Sequence, residues 1–310
     1  MTLAEDVRAR DPRAIARAIS MVEDGDAGLR ELSTDLYGHT GRAYTMGLTG
    51  SPGVGKSTIA NELVRAARAH ERSVAVLAID PTSPLSGGAL LGDRLRMQAH
   101  ATDPNVFIRS MASRGHLGGM ALAAPEAIRV LDAAGHDLVI VETVGVGQAE
   151  VDVAAATDTT LVVVSPGWGD AVQVSKAGIL EIADVFVVNK ADREGAEVAA
   201  RDLRQMLRMG GEMPWTPPVV TTTATVGAGT AELWDAIESH RAYLESSGEL
   251  ERGREARLLR EAESLAVEGL RERATRLLVE DPSLAADLTE RRTDPYRTAA
   301  ILEERISSRP

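Results

Sequence analysis

The sequence predicts an α/β fold, a doubly wound and mainly parallel sheet preceded by helices and followed by a helical arm. Three observations carry this. Short apolar runs recur with longer helical or loop segments between them, the alternation of a parallel sheet wrapped by helices. Met46 to Ile59 reads as a strand end, a glycine-rich turn and a helix start. Beyond about residue 247 the apolar runs stop, and arginine, glutamate and leucine take over. We divide the 310-residue chain accordingly into an N-terminal helical segment at 1–40, an α/β domain at 41–246 and a C-terminal helical arm at 247–310.

Composition narrows the function classes. A 44% hydrophobic content supports a packed core, and no apolar run reaches the ~18 residues of a membrane span. The net charge of -12 disfavours general binding to nucleic acid or to membrane surfaces, which require a positive field. Without cysteine there are neither disulfides nor thiolate metal ligands. Met1 to Ala18 lacks a signal peptide's apolar centre, and Glu5, Asp6 and Asp11 are unlike an acid-poor transit peptide, so a cytoplasmic location is expected. Only three of the 34 basic side chains are lysine: Lys56, Lys176 and Lys190. A chain that otherwise uses arginine retains lysine where a compact ammonium is needed, which marks Lys176 for chemistry rather than for a solvated surface.

Taken in order, Leu3, Val7, Ala14, Ile15, Ala18, Ile19 and Val22 form an interrupted apolar helix face that breaks at Asp24-Gly25-Asp26. Tyr44 to Leu48 is the first strand. Gly50-Ser51-Pro52-Gly53-Val54-Gly55-Lys56-Ser57 then matches G-x-x-x-x-G-K-[ST], with Thr58 in the helix behind it. Such a loop wraps backbone N–H groups around phosphate oxygens, Lys56 reaches the β- and γ-phosphates, and the Ser57 hydroxyl can ligate Mg²⁺. A second strand at Ser73–Ile79 ends in Asp80, and a proline- and glycine-rich loop leads to Asp93 at a helix start. Either acid can hold Mg²⁺ waters or orient an attacking water; a turn former and a helix cap are the structural alternatives.

Strands follow at Val106–Met111 and Leu138–Val141, the latter running into Glu142-Thr143-Val144-Gly145. A carboxylate past a buried strand suits a second Mg²⁺-linked position, and Gly145 can donate its N–H to a γ-phosphate. Val146 follows Gly145 where many small GTPases have a water-positioning glutamine, so slow hydrolysis by the isolated protein is expected. After the strand Thr160–Val164, Gln173 and Lys176 share one helix face and can supply the missing polar groups. The strand Val185–Val188 ends in Asn189-Lys190-Ala191-Asp192. This N-K-x-D pattern reads guanine, because the Asp192 carboxylate accepts both the ring N1–H and the exocyclic amine, a donor pair adenine lacks. Past the strand Val219–Thr222, Thr223-Ala224 fits a backbone contact to the guanine oxygen. In the arm, Leu258, Leu259, Leu265, Leu270, Leu277 and Leu278 must be covered by the catalytic domain or by another chain.

Together these motifs, with Ala78-Ile79-Asp80-Pro81, Gly92-Asp93, Ser113-Arg114-Gly115-His116-Leu117-Gly118-Gly119, Glu142 to Gln148 and Gly178 to Asp184, resemble the MeaB/ArgK family of SIMIBI-class GTPases. The resemblance spans nearly the whole chain. It implies a P-loop GTPase domain using GTP/GDP and Mg²⁺, and a homodimer formed through the arm. Its partner would be an adenosylcobalamin-dependent acyl-CoA mutase of the methylmalonyl-CoA mutase type. Nucleotide turnover would gate loading of adenosylcobalamin, carried only by that mutase, and would protect or rescue the enzyme. It further implies switches at about 81–95 and 142–151 and a third at about 167–180 that brings Gln173 and Lys176 to the nucleotide. Competing readings are a nickel-delivery GTPase, poorly served by six scattered histidines and no cysteine, a nucleotide-stabilised scaffold, and a transport-linked ATPase or kinase, which would prefer ATP.

Overall fold

The computed structural model describes residues 2–81, 100, 102–113, 120–143, 148–167, 181–211 and 213–308, with the backbone alone at 80, 81, 112, 113, 120–122 and 148–150. The chain separates into two compact units, Met1–Arg257 and Leu258–Pro310.

In the first unit three helices lead into the sheet: α1 (Leu3–Arg8), α2 (Pro12–Asp24) and α3 (Leu29–Tyr37). Local chemistry sets their ends. Thr2 and Glu5 form a reciprocal capping box on α1, while Asp11 accepts from Arg13 N and Ala14 N to start α2 with Pro12 in its first turn. Gly25, with φ +60°, terminates α2 in the left-handed conformation.

The sheet has seven strands: β1 (Tyr44–Thr49), β2 (Val74–Pro81), β3 (Val106–Ser113), β4 (Leu138–Thr143), β5 (Thr159–Val164), β6 (Val185–Asn189) and β7 (Val219–Thr222). Their order is β3-β2-β4-β1-β5-β6-β7 and every pairing is parallel. All the strands read from the sequence are present, several one or two residues longer than the apolar runs because polar residues such as Glu142 and Thr143 continue the ladder. Between them lie α4 (Lys56–Ala69), α5 (Met120–Ala133), α6 (Gln148–Ala156) and α7 (Ala196–Met209), and α8 (Thr230–Ser247) follows the last strand.

Both faces of the sheet are covered, as a parallel sheet requires. Ala75, Leu77 and Ile79 of β2 face the core shared with α2, α3 and α5, whereas Val74 and Val76 join Met46, Leu48, Ile59, Leu63 and Trp234 on the other side. The N-terminal helices are therefore part of the α/β core. Because all strands run the same way, the turns after β1, β4, β6 and β7 share one edge of the sheet, where a doubly wound fold binds its ligand.

Helix α9 (Glu249–Glu280) contains the boundary between the units and is followed by α10 (Pro282–Thr289) and α11 (Pro295–Ser308). Within the second unit Asp281 caps α10 through Ser283 N and pairs with Arg305 at 2.8 Å, and Leu277, Leu284 and Thr298 are buried. Leu258, Leu259, Leu265 and Leu270 remain exposed.

Candidate functional site

The turn after β1 is shaped by its glycines. At Gly50, φ is +136° and a Cβ would lie 2.1 Å from the carbonyl oxygen of Val163 on β5, so only glycine passes. At Gly55, φ is +100° and a Cβ would stand 2.4 Å from Asn189 Nδ2. Gly55 is also the N-cap of α4, and having no side chain it leaves the helix start open for an anion. Pro52 and Gly53 are exposed, Ser51 is partly so, Val54 is buried, and Thr58 sits half-buried in the first turn of α4.

Two polar side chains close under this turn. Lys56 is buried, and its ammonium donates to the carbonyls of Gly50 at 2.6 Å and Ser51 at 3.1 Å. Ser57 Oγ donates to Glu142 Oε1 at 2.6 Å. Glu142 lies opposite Leu48 in the β1–β4 register, which is how a residue 85 positions away in sequence meets the loop. Two hard oxygen donors meeting at a phosphate loop are a fitting donor set for Mg²⁺.

The turn after β6 is tied to the same place. Asn189 is buried and donates from Nδ2 to the Val54 carbonyl at 2.8 Å. Its Oδ1 accepts from Thr222 Oγ1 at 3.1 Å and from Ala224 N at 3.2 Å. One amide thus joins the turns after β1, β6 and β7. Lys190 follows in the left-handed conformation, φ +60°, and donates from Nζ to the Gly53 carbonyl at 2.5 Å. The Asp192 carboxylate is exposed beyond it. Thr223 N–H bonds Ala228 O at 2.9 Å, closing a short 3₁₀ turn at Ala224–Val226.

The structure therefore brings together the loop Gly50 to Thr58, Glu142, Asn189, Lys190, Asp192, Thr223 and Ala224. Asp80 is the penultimate residue of β2, aligned with Ala112 of β3, and its side chain lies outside the described residues. Asp93, Gly145, Gln173 and Lys176 also lie outside them. The role of Thr222 is new. Its hydroxyl fixes which way the Asn189 amide faces, across a separation of 33 residues that leaves no local pattern to read.

A parallel seven-stranded sheet with a phosphate loop after its central strand and N-K-x-D after a later one defines a P-loop GTPase. The chain belongs to the MeaB family: the family model described as methylmalonyl Co-A mutase-associated GTPase MeaB matches residues 15–277. A candidate GTPase of Pyrococcus abyssi is 47% identical over 311 residues, covering 98% of this chain and 96% of that protein. The mitochondrial methylmalonic aciduria type A homolog of Mus musculus is 35% identical over 257 residues, covering 76% of this chain and 61% of that one. Among solved structures, an LAO/AO transport system kinase superposes with a TM-score of 0.71 at 27% identity, covering 99% of this chain and 97% of the other.

Proposed function

We propose that this GTPase is a chaperone of an adenosylcobalamin-dependent acyl-CoA mutase of the methylmalonyl-CoA type, gating cofactor loading and protecting or reactivating the mutase. The family match over residues 15–277, under a description naming that mutase, carries this reading, and the mouse relative supports it. Adenosylcobalamin belongs to the partner, because nothing in the sequence reads as a cobalamin site.

In this reading Gly50 to Thr58 wraps the phosphates of GTP or GDP, and Asp192 accepts from the guanine ring while the Lys190 stem covers its face. Lys56 exchanges its two carbonyl acceptors for phosphate oxygens and stabilises charge as the terminal P–O bond breaks. Ser57 and Glu142 would hold Mg²⁺ together with Asp80 or Asp93, and the ion would supply charge neutralisation at the phosphates. Gly145 donates to the γ-phosphate, Thr223-Ala224 lies against the guanine oxygen, and Gln173 and Lys176 reach the attacking water when the partner engages. The exposed leucines of α9 are covered in a homodimer through the arm at 247–310. Among the described residues no helix is long and apolar enough to cross a membrane; a cytoplasmic location is part of this reading.

The test is steady-state GTP hydrolysis by the full chain alone and with such a mutase, ATP serving as the control. Slow turnover alone, raised by more than about tenfold by the mutase and lost in Lys176→Ala, is the expected result. A rate unmoved by the mutase would remove the chaperone role, and equal use of ATP would remove the assignment of Asp192.

A further inference from the structure

At the end of the sheet opposite the phosphate loop, the Asp158 side chain is fully buried between the end of α6 and the start of β5. Arg254 grips it with Nε at 3.2 Å and Nη2 at 2.8 Å, and Arg257 Nη2 bonds the same carboxylate. The backbone N–H of Thr45 in β1 donates to it as well, at 3.0 Å. Both guanidiniums reach further. Arg254 donates to the carbonyls of Gly41 and Ala43, each at 2.8 Å, and Arg257 to the carbonyl of Thr157 at 3.1 Å. The first three turns of α9 are thus fastened both to the base of the strand that carries the phosphate loop and to the two residues that follow α6, Thr157 and Asp158.

Helix α6 is a stiff connection from there to the nucleotide edge. It starts at Gln148, five residues after the last residue of β4, and so emerges from the edge that Glu142 occupies. It lies on β1 with no slack: a Cβ on Gly47 would stand 2.8 Å from Thr157 Oγ1 and 2.9 Å from Val153 Cγ1. A tilt of its first turn must therefore turn the helix about its Asp158 end. Fixing that end with a buried carboxylate and two arginines is a poor way to gain stability, since desolvation offsets much of the attraction, but it holds one geometry where apolar packing would tolerate several.

We infer that Asp158, Arg254 and Arg257 are positioning residues for the nucleotide site, setting its preference between GDP and GTP, and that through them the root of α9 and the nucleotide site set each other's geometry. The inference rests on the nucleotide site proposed above. By linkage, any change at the arginines that alters the preference between nucleotides must equally be felt by α9 when the nucleotide changes.

The experiment measures affinities of the full-length protein for fluorescent GDP and for a non-hydrolysable GTP analogue, comparing wild type with Arg257→Lys, with the double variant Arg254→Lys and Arg257→Lys, and with Asp158→Asn. Lysine keeps the charge and loses the two-pronged grip. The ratio of the two affinities is expected to shift by about fivefold or more in the double variant, in the range of ordinary allosteric coupling. A purely structural anchor would lower the melting temperature and leave the ratio unchanged, which overturns the inference. Should Asp158→Asn fail to fold, the lysine variants decide alone. Because the chain has no cysteine, a fluorophore on Glu255→Cys, an exposed position between the two arginines, labels α9 uniquely. Its emission should change when the analogue replaces GDP, and that response should vanish in the double lysine variant; a silent label overturns the inference too. Wild-type protein that binds neither nucleotide would instead refute the site itself.

Discussion

Replacing Asn189 by alanine removes one side chain and unties three turns. The lost bonds are those to the Val54 carbonyl, from the Thr222 hydroxyl and from the Ala224 N–H, at 2.8, 3.1 and 3.2 Å. Asn189 is only 3% exposed, so all three partners lose an interior hydrogen bond rather than one shared with water. At about 1 kcal/mol net for each, the loss comes to about 3 kcal/mol. For a domain of this size that corresponds to a drop of roughly 6–12 °C in melting temperature. Thermal unfolding of the full chain by circular dichroism, in parallel with GDP titration, measures both consequences, and GDP binding should weaken along with the fold. Asn189→Asp refines the test. It keeps an acceptor for Thr222 and Ala224 but sets a carboxylate oxygen against the Val54 carbonyl, so it should be no milder than alanine. An Asn189→Ala protein that melts with wild type and binds GDP as well would refute the idea that one amide holds the three turns together.

Three further outcomes follow from the geometry. Gly50→Ala should abolish GDP binding, because the new methyl group meets the Val163 carbonyl of a central strand, which cannot yield; unchanged affinity by calorimetry would contradict this. Ser57→Ala should leave the fold intact yet shift the Mg²⁺ dependence of GTP turnover to higher concentration, as read from a Mg²⁺ titration, since Glu142 loses the hydroxyl beside it. His136 is buried, neither ring nitrogen has a hydrogen-bond partner among the described residues, and burial, then the charge of Arg10, lowers its pKa from 6.5 to about 4. Between those values the unfolded chain binds a proton that the folded chain refuses, so stability drops as the pH is lowered from about 6.5 to about 4, by up to about 3 kcal/mol in all. In His136→Phe that part of the slope in urea-unfolding free energy should disappear.

The sheet was legible because its strands are short apolar runs with helices between them, and the phosphate loop because glycine at Gly50 and Gly55 answers a purely local steric demand. Strand order was not legible. Nothing near Tyr44 says that its neighbours are Leu138 on one side and the strand beginning at Thr159 on the other. The same limit hid Thr222 and the Asp158 cluster. Arg254 and Arg257 look like any other basic residues of a helix crowded with arginine and glutamate, and only the tertiary fold, across 96 and 99 residues, makes them partners of one aspartate. The roles expected of Asp93, Gly145, Gln173 and Lys176 concern residues outside those described.

The strand order also has a consequence for the chain as it leaves the ribosome. Strand β1 is made early, but both strands that flank it come from beyond residue 137, and no two sequential strands before β5 other than β2 and β3 are neighbours. At about 5–20 residues per second, the chain between Tyr44 and Leu138 takes roughly 5–20 s to synthesise, and through that interval the phosphate-loop strand has no sheet to join. Asn189 and Thr222 arrive later still. Nucleotide can therefore select only chains in which all seven strands have been made, so GTP or GDP would act on a late stage of folding and leave the earlier, aggregation-exposed stages to whatever holds nascent chains apart.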